Sequence, residues 1–325
     1  MRAQIFRADG FVIYPAVVRA VLIVNPQATS TTPGGRDVLA HALASQVKLE
    51  VVETDYRGHA KAVARSAARD GVDLVVAHGG DGTVNEVVNG VLADSDGDPQ
   101  NAGQVPMLGV VPGGSANVFA RALGISRDPV EATHQLLRAI EEGRSRRVGL
   151  GLADGHWFTF NSGLGWDADV VAAVSKRRGK QATSALYLRA AITNHLRPPL
   201  GRPKLTVRIP GEQPVDVLTA FVSNTDPWSY LGDRPIHLNQ GCSLDGGLGL
   251  FALSGLALPT VFKHLRGALS AKGNQRGRRL VRHDDLPIIR IDADEPVNFQ
   301  VDGDLVGQRT RVEFFSVSGA LTVMV

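Results

Sequence analysis

Two glycine-rich bends hold the residues whose types and spacing could do chemistry. Gly79-Gly80-Asp81-Gly82-Thr83 follows the branched apolar run DLVVAH and opens the helical pattern VNEVVNGVL. Val111-Pro112-Gly113-Gly114-Ser115-Ala116-Asn117 repeats the arrangement after Met107 to Val111. Glycines at a strand-to-helix bend let main-chain N–H groups approach an anion, and the helix N-terminus adds partial positive charge there. The pair reads as a cradle for a polyphosphate. Asp81 beside phosphates is unfavourable unless a cation intervenes, which points to a metal-bound nucleotide. A plain turn with Asp81 as helix cap explains a lone GDG about as well; two such bends on neighbouring strands favour the cradle. Neither GxxxxGK[ST] nor GxGxxG is present, so the cradle belongs to neither common nucleotide class. A carboxylate pair, Asp302-Gly303-Asp304, lies far along the chain, where it can face the cradle across a cleft; by itself Asp-Gly is also a hairpin signal.

The elements that must position these residues follow from hydrophobic period. Ala20 to Asn25 reads as a buried strand, Asp37 to Gln46 as a helix capped by Asp37, Val47 to Thr54 as a strand and residues 59 to 70 as a helix stopped by Gly71. Strand Asp73 to Ala77, helix Thr83 to Leu92, the acidic loop Asp94 to Asp98, strand Met107 to Val111 and helical segments over Ala116 to Leu123 and Val130 to Glu142 continue the series. This β-α-β rhythm predicts a parallel sheet whose strand ends converge at one ligand-binding edge. After Gly143 it gives way to short strands, among them Trp157 to Asn161, Leu205 to Ile209, Val217 to Ser223, Gly249 to Leu253, Ile288 to Ala293 and Arg311 to Val317. The expected fold is an α/β nucleotide-binding domain over 20–148 and a mainly β, sandwich-like domain over 149–325. Residues 1–19 form an N-terminal arm, and the last strands are free to pack back on the first domain.

Composition narrows the function. The chain has 325 residues, a formal charge of +3 and 36 glycines, the last well above the usual share of roughly 7%. A charge this small excludes a whole-surface nucleic-acid binder. One cysteine, Cys242, forms no internal disulfide and fits a reducing cytoplasm; it reads as an inert buried thiol.

The ordered motifs resemble the diacylglycerol kinase catalytic family, which includes bacterial soluble lipid kinases and sphingosine kinases. The resemblance rests on Asn25-Pro26, Thr54-Asp-Tyr-Arg-Gly58-His59-Ala60, Gly79 to Glu86, Pro112 to Arg121, Asn161 to Ala168, Asn224, Leu244-Asp245-Gly246 and Val301 to Asp304. It implies a lipid kinase using ATP and Mg2+. By the same resemblance Asn25, Thr54, Gly79, Gly80, Asp81, Gly82, Thr83, Val84, Asn85, Glu86, Gly114, Ser115 and Asn117 bind the nucleotide. Asp302 or Asp304 is the base, with Asp302 preferred. Asp245, with the carbonyls of Cys242 and Gly247, would hold a structural Mg2+, and Asp167 would bond the acceptor head group.

Three departures stand out. Val118 replaces a carboxylate common after the second bend, which shifts the substrate expectation away from plain diacylglycerol without naming a replacement; Asp304 replaces Glu; and Gln27-Ala28-Thr29-Ser30 lacks the usual glycine. Lys176 to Lys180 is a cationic run, and a second, Lys263 to His283, suits either solvated surface or peripheral contact with anionic membrane. Trp228 and Tyr230 suit either core or an acyl pocket. A lipid partner, no nucleic acid and room for a homodimer complete the expectation. The competing readings are a kinase of a soluble substrate resembling NAD kinase and a non-catalytic nucleotide-binding regulator.

Overall fold

The computed structural model describes residues 18–93, 105–175, 193–194, 203–270 and 275–325. Residues 1–17, the Asp94 to Asp98 loop, Lys176 to Lys180 and most of Arg197 to Pro203 lie outside them. The first half runs β1 (Arg19–Val24), α1 (Pro33–Ala44), β2 (Lys48–Glu53), α2 (His59–Arg69), β3 (Leu74–Gly79), α3 (Asp81–Val91), β4 (Met107–Pro112), α4 (Val118–Ala122) and α5 (Pro129–Glu142). The strands pair in parallel in the order β2-β1-β3-β4. β1, β3 and β4 are nearly continuous apolar runs because a parallel sheet buries both faces, and Leu22, Ile23, Val75, Val76, Leu108 and Val111 are fully buried. Helix α1 begins earlier than its expected cap. Thr32, not Asp37, closes its first turn by accepting from Gly35 N at 3.1 Å, and Pro33 supplies a preset φ that offsets the two following glycines.

The second half comprises β5 (Ser145–Ala153), β6 (His156–Phe158), β7 (Asn161–Gly165), α6 (Trp166–Ser175), β8 (Leu205–Arg208), β9 (Val215–Val217), β10 (Thr219–Ser223), β11 (Ser229–Leu231), β12 (Arg234–Ile236), β13 (Leu248–Leu253), α7 (Leu258–Ala268), β14 (Leu280–Leu286), β15 (Ile288–Val301) and β16 (Asp304–Met324). Short apolar segments undercall this half. Ile288 to Ala293 and Arg311 to Val317 are parts of the long strands β15 and β16, which bulges carry past their polar stretches. Helices α6 and α7 went unread, α7 because a strand-rich, cation-rich region surrounds it.

β16 joins the halves. It pairs first with β15, then with β5, and near its end Val323 sits beside Leu108 in parallel register with β4. One hydrogen-bonded path therefore runs from β14 to β2, and Ala320, Leu321, Val323 and Met324 belong to the first half's core. Among the described residues no helix is long and apolar enough to cross a membrane. Leu321 is fully buried, so Leu321→Ala should lower the unfolding free energy by about 2–5 kcal/mol. Urea denaturation followed by far-UV signal and by tryptophan emission should show both probes shifting together, since the strand is common to both cores.

Candidate functional site

The two glycine bends meet backbone to backbone. β3 and β4 run side by side with Gly79 opposite Pro112, and Gly113 N donates to Gly79 O at 2.7 Å. A Cβ on Gly114 would stand 2.6 Å from the Cα of Gly80, and one on Gly113 would stand 3.1 Å from the Cα of Gly79. Asn117 fixes the second bend from a left-handed backbone (φ 48°), a region Asn tolerates. Its Oδ1 accepts from Gly114 N at 3.0 Å and its Nδ2 donates to Gly114 O at 2.6 Å. Asn25 ties β1 to the first turn of α3, donating from Nδ2 to Thr83 Oγ1 at 3.0 Å.

A cavity of about 1420 Å3 opens over these bends. Asn25, Thr54, Gly80, Asp81, Gly82, Thr83, Glu86, Gly114 and Ser115 border it, and so do Asp167, Asp302 and Asp304. Beyond the carboxylates its walls turn apolar, with Phe160, Trp166, Phe221, Trp228, Phe251 and Leu253 among them. Trp228 and Tyr230 thus face the cavity. Four expected contacts stand behind its wall instead. Gly79 is spent on the close approach of the bends, Val84 is core, Asn117 is turned onto Gly114, and Asn85 donates to Trp157 O and Asp302 Oδ2. These four positions are not among the cavity's lining.

The turn carrying the carboxylate pair is a two-residue hairpin between β15 and β16, with positive φ at Asp302 (45°) and Gly303 (78°). The hairpin reading holds, and the same turn borders the cavity. Asp302 is buried, and five donors hold it: Thr159 N at 2.7 Å, Thr159 Oγ1 at 2.8 Å and Asn85 Nδ2 at 2.8 Å on Oδ2, and Phe160 N and Asn161 N at 3.0 Å each on Oδ1. Burial pushes its carboxyl up from the ordinary carboxylate value, and the donors from Thr159, Phe160 and Asn161 oppose that. Its oxygens have little capacity left to take a proton. Asp304 is partly exposed, pairs with Arg57 Nη2 at 3.0 Å, and places Oδ2 3.5 Å from where a Cβ on Gly82 would lie. It is therefore Asp304 that reaches the first bend, even with the shorter side chain.

Asp81 is half-buried, and its carboxyl is pushed up to about 7, first by burial and then by the charge of Asp302; Phe119 N, 3.4 Å away, opposes this. A carboxylate whose charge is suppressed by burial and by a like neighbour regains it beside a divalent cation. Mg2+ needs only one or two carboxylates when phosphate oxygens complete its shell, so Asp81 and the cradle fit that ion. Among the described residues no group of three or more His, Cys, Asp or Glu side chains is placed to hold a metal. At the second expected metal position the Asp245 carboxylate is turned to a guanidinium. Asp245 pairs with Arg146 Nη2 at 2.5 Å, Gly247 N donates to Asp285 Oδ1 at 2.6 Å, and the Cys242 thiol is buried and pushed up to about 12 by that burial. A guanidinium already supplies the positive charge there.

Asp167 opens α6, is buried, and accepts from Gln300 Nε2 at 2.8 Å. Burial pushes its carboxyl up to about 7 against that bond. Gly163 is required beside it, since a Cβ there would lie 2.3 Å from Asp167 Oδ2. Sequence reasoning missed Gln300, which also donates to Asn161 Oδ1 and accepts from Gly303 N. Its signal was the strand period of two, which sets Gln300 on the same face as Asp302. It also missed Arg57, inside a segment read only for its threonine and glycine, and Arg121, whose Cζ lies 3.2 Å from the Tyr230 ring centre.

The family model "Diacylglycerol kinase catalytic domain" matches residues 19–152. The chain is 35% identical over 184 residues to a diacylglycerol kinase of Bacillus subtilis, covering 53% of this chain and 54% of that protein. It is 29% identical over 290 residues to a Stenotrophomonas maltophilia protein named probable lipid kinase YegS-like, covering 84% and 86%. The B. subtilis match thus spans about half the length of that relative. Among solved structures, a diacylglycerol kinase from Bacillus anthracis superposes with a TM-score of 0.70 at 20% identity, over 96% of this chain and 98% of that one. An NAD kinase from Archaeoglobus fulgidus in complex with ATP superposes with a TM-score of 0.53 at 12% identity, over 94% and 93%. Both share the fold: a parallel α/β half followed by a largely β half.

Two outcomes are expected here. Gly114→Ala should force the bends apart and abolish binding of a fluorescent ATP analogue while far-UV dichroism stays intact. Asp81 and Asp167 hold protons in the folded chain up to about 7 that the unfolded chain releases near 3.8, so their contribution to stability falls as pH rises through that window. Asp81→Asn and Asp167→Asn should each gain thermal stability relative to the parent between pH 4 and 7, read by calorimetry without ligand.

Proposed function

We propose that the chain is an ATP-dependent lipid kinase that moves the γ-phosphoryl group of MgATP to a lipid hydroxyl. The observation that carries this reading is the single cavity joining the glycine cradle to an apolar chamber, with Asp302 and Asp304 where they meet. Phosphoryl transfer needs in-line positioning and charge neutralisation more than covalent help from the protein. Main-chain N–H groups of the bends, with Thr54, Asn25 and Ser115, hold the nucleotide. Bound Mg2+ neutralises charge on the transferred group. Asp304 takes the proton of the attacking hydroxyl, whose oxygen bonds the γ-phosphorus as ADP leaves. Asp302 is the fixed charge that sets the turn, and Asp167 with Gln300 orients the lipid head group. Such an enzyme would serve phospholipid synthesis from the cytoplasm, at a membrane surface.

The relatives named as lipid kinases support this reading, as does the apolar chamber, which has no use for a dinucleotide acceptor. Incubation with labelled ATP, Mg2+ and a panel of diacylglycerols, sphingoid bases, NAD and no acceptor should put label into a lipid. Transfer to NAD alone would contradict it, as would nucleotide binding with no transfer to any acceptor. Asp304→Asn should lower kcat about 100-fold or more with little change in KM for ATP. Full activity in that variant would remove Asp304 as the base.

A further inference from the structure

Helix α7 carries two adjacent apolar stripes, one packed inward and one exposed. Its inner stripe, Val261, His264 and Ala268, packs on the chamber, where His264 meets Phe251 edge-on with 5.7 Å between ring centres. Its outer stripe is Leu258, Phe262 and Leu265, spaced i, i+4 and i+7, and 63%, 69% and 46% exposed. A helix on a protein surface normally turns its polar side to water, and a contiguous apolar face left outside marks a surface that is covered in use. Leu258 and Leu265 also line the cavity, as does Leu231, 44% exposed, on the β11–β12 ribbon. The exposed apolar residues are thus the rim of the chamber mouth.

Cations frame that rim. Lys263 and Arg266 flank the outer stripe on α7, and Arg276, Arg278 and Arg279 lie exposed just beyond it. No acidic residue occurs from Lys263 to His283, and none of these five cations has an ion-pair partner among the described residues. We propose that α7 and the ribbon docks this protein on an anionic lipid bilayer, with Phe262 in the acyl boundary, the cations among the headgroups and the chamber mouth opening into the membrane. An apolar stripe flanked by Lys and Arg is the pattern of a helix that lies in the interface plane, and anionic headgroups supply the missing counter-charge. A second copy is the poorer occupant, because a two-fold contact through this face would set the same cations against each other. The inference rests on the lipid-kinase reading in taking the chamber as the acceptor's site.

Flotation with vesicles of phosphatidylglycerol and phosphatidylcholine, and of phosphatidylcholine alone, tests it. The parent protein should float with the anionic vesicles in a salt-sensitive manner. Phe262→Asp should weaken that partition about tenfold, and so should Lys263→Glu combined with Arg266→Glu. Phe262 does not line the cavity, so Phe262→Asp should still phosphorylate a dispersed short-chain diacylglycerol at the parent rate while losing activity on lipid embedded in vesicles. Equal flotation of parent and Phe262→Asp would overturn the proposal, as would a parent dimer split by Phe262→Asp with vesicle binding unchanged. Flotation as expected with no lipid phosphorylated would uphold docking and overturn the kinase reading instead.

Discussion

The carboxylate of Asp302 fastens the two halves of the molecule together at the cavity. It takes Asn85 Nδ2 from α3 on one side and the N–H groups of Thr159, Phe160 and Asn161, with the Thr159 hydroxyl, on the other. Without it the buried N–H groups of Thr159, Phe160 and Asn161 would lack a partner, at a cost of about 1–3 kcal/mol each. Two other features of the site depend on it. Its charge helps lift the proton affinity of Asp81, and the turn it opens delivers Asp304 to the first glycine bend. Asp302 is thus a fixed point between the halves of the molecule.

The cavity then separates two kinds of work by composition alone. At the cradle, backbone and small polar side chains leave room for a large anion, and no side chain fits between the bends. Past Asp302 the lining is aromatic and aliphatic, and Phe221 meets both Trp228 and Phe251 edge-on. Gln300 and Asp167, which hold each other, also line the cavity. A ligand with a charged end and an apolar body matches that gradient; a ligand polar throughout does not.

Local pattern exposed the parallel half well, since β1, β3 and β4 are continuous apolar runs ending at glycine or asparagine, and the bends follow directly from them. The β half was legible only in fragments. β15 and β16 carry long polar stretches that pair by register and bulge rather than by hydrophobic alternation, and the return of β16 to β4 is a contact between residues far apart in sequence. At the site, the glycines were readable because only glycine fits so close an approach. Which of Asp302 and Asp304 reaches the first bend was not, because it depends on which donors the β6–β7 turn supplies. Nor was the guanidinium at Asp245, since nothing local to either residue brings Arg146 to it.

The central claim is spatial: both glycine bends and the Asp302 to Asp304 turn surround one triphosphate. A crystal structure with Mg2+ and a non-hydrolysable ATP analogue measures this directly. The account predicts a γ-phosphate lying over Gly82 and Ser115 with Asp304 on its open side. Phosphates bound elsewhere, or in the cradle with Asp304 turned to solvent, would contradict it.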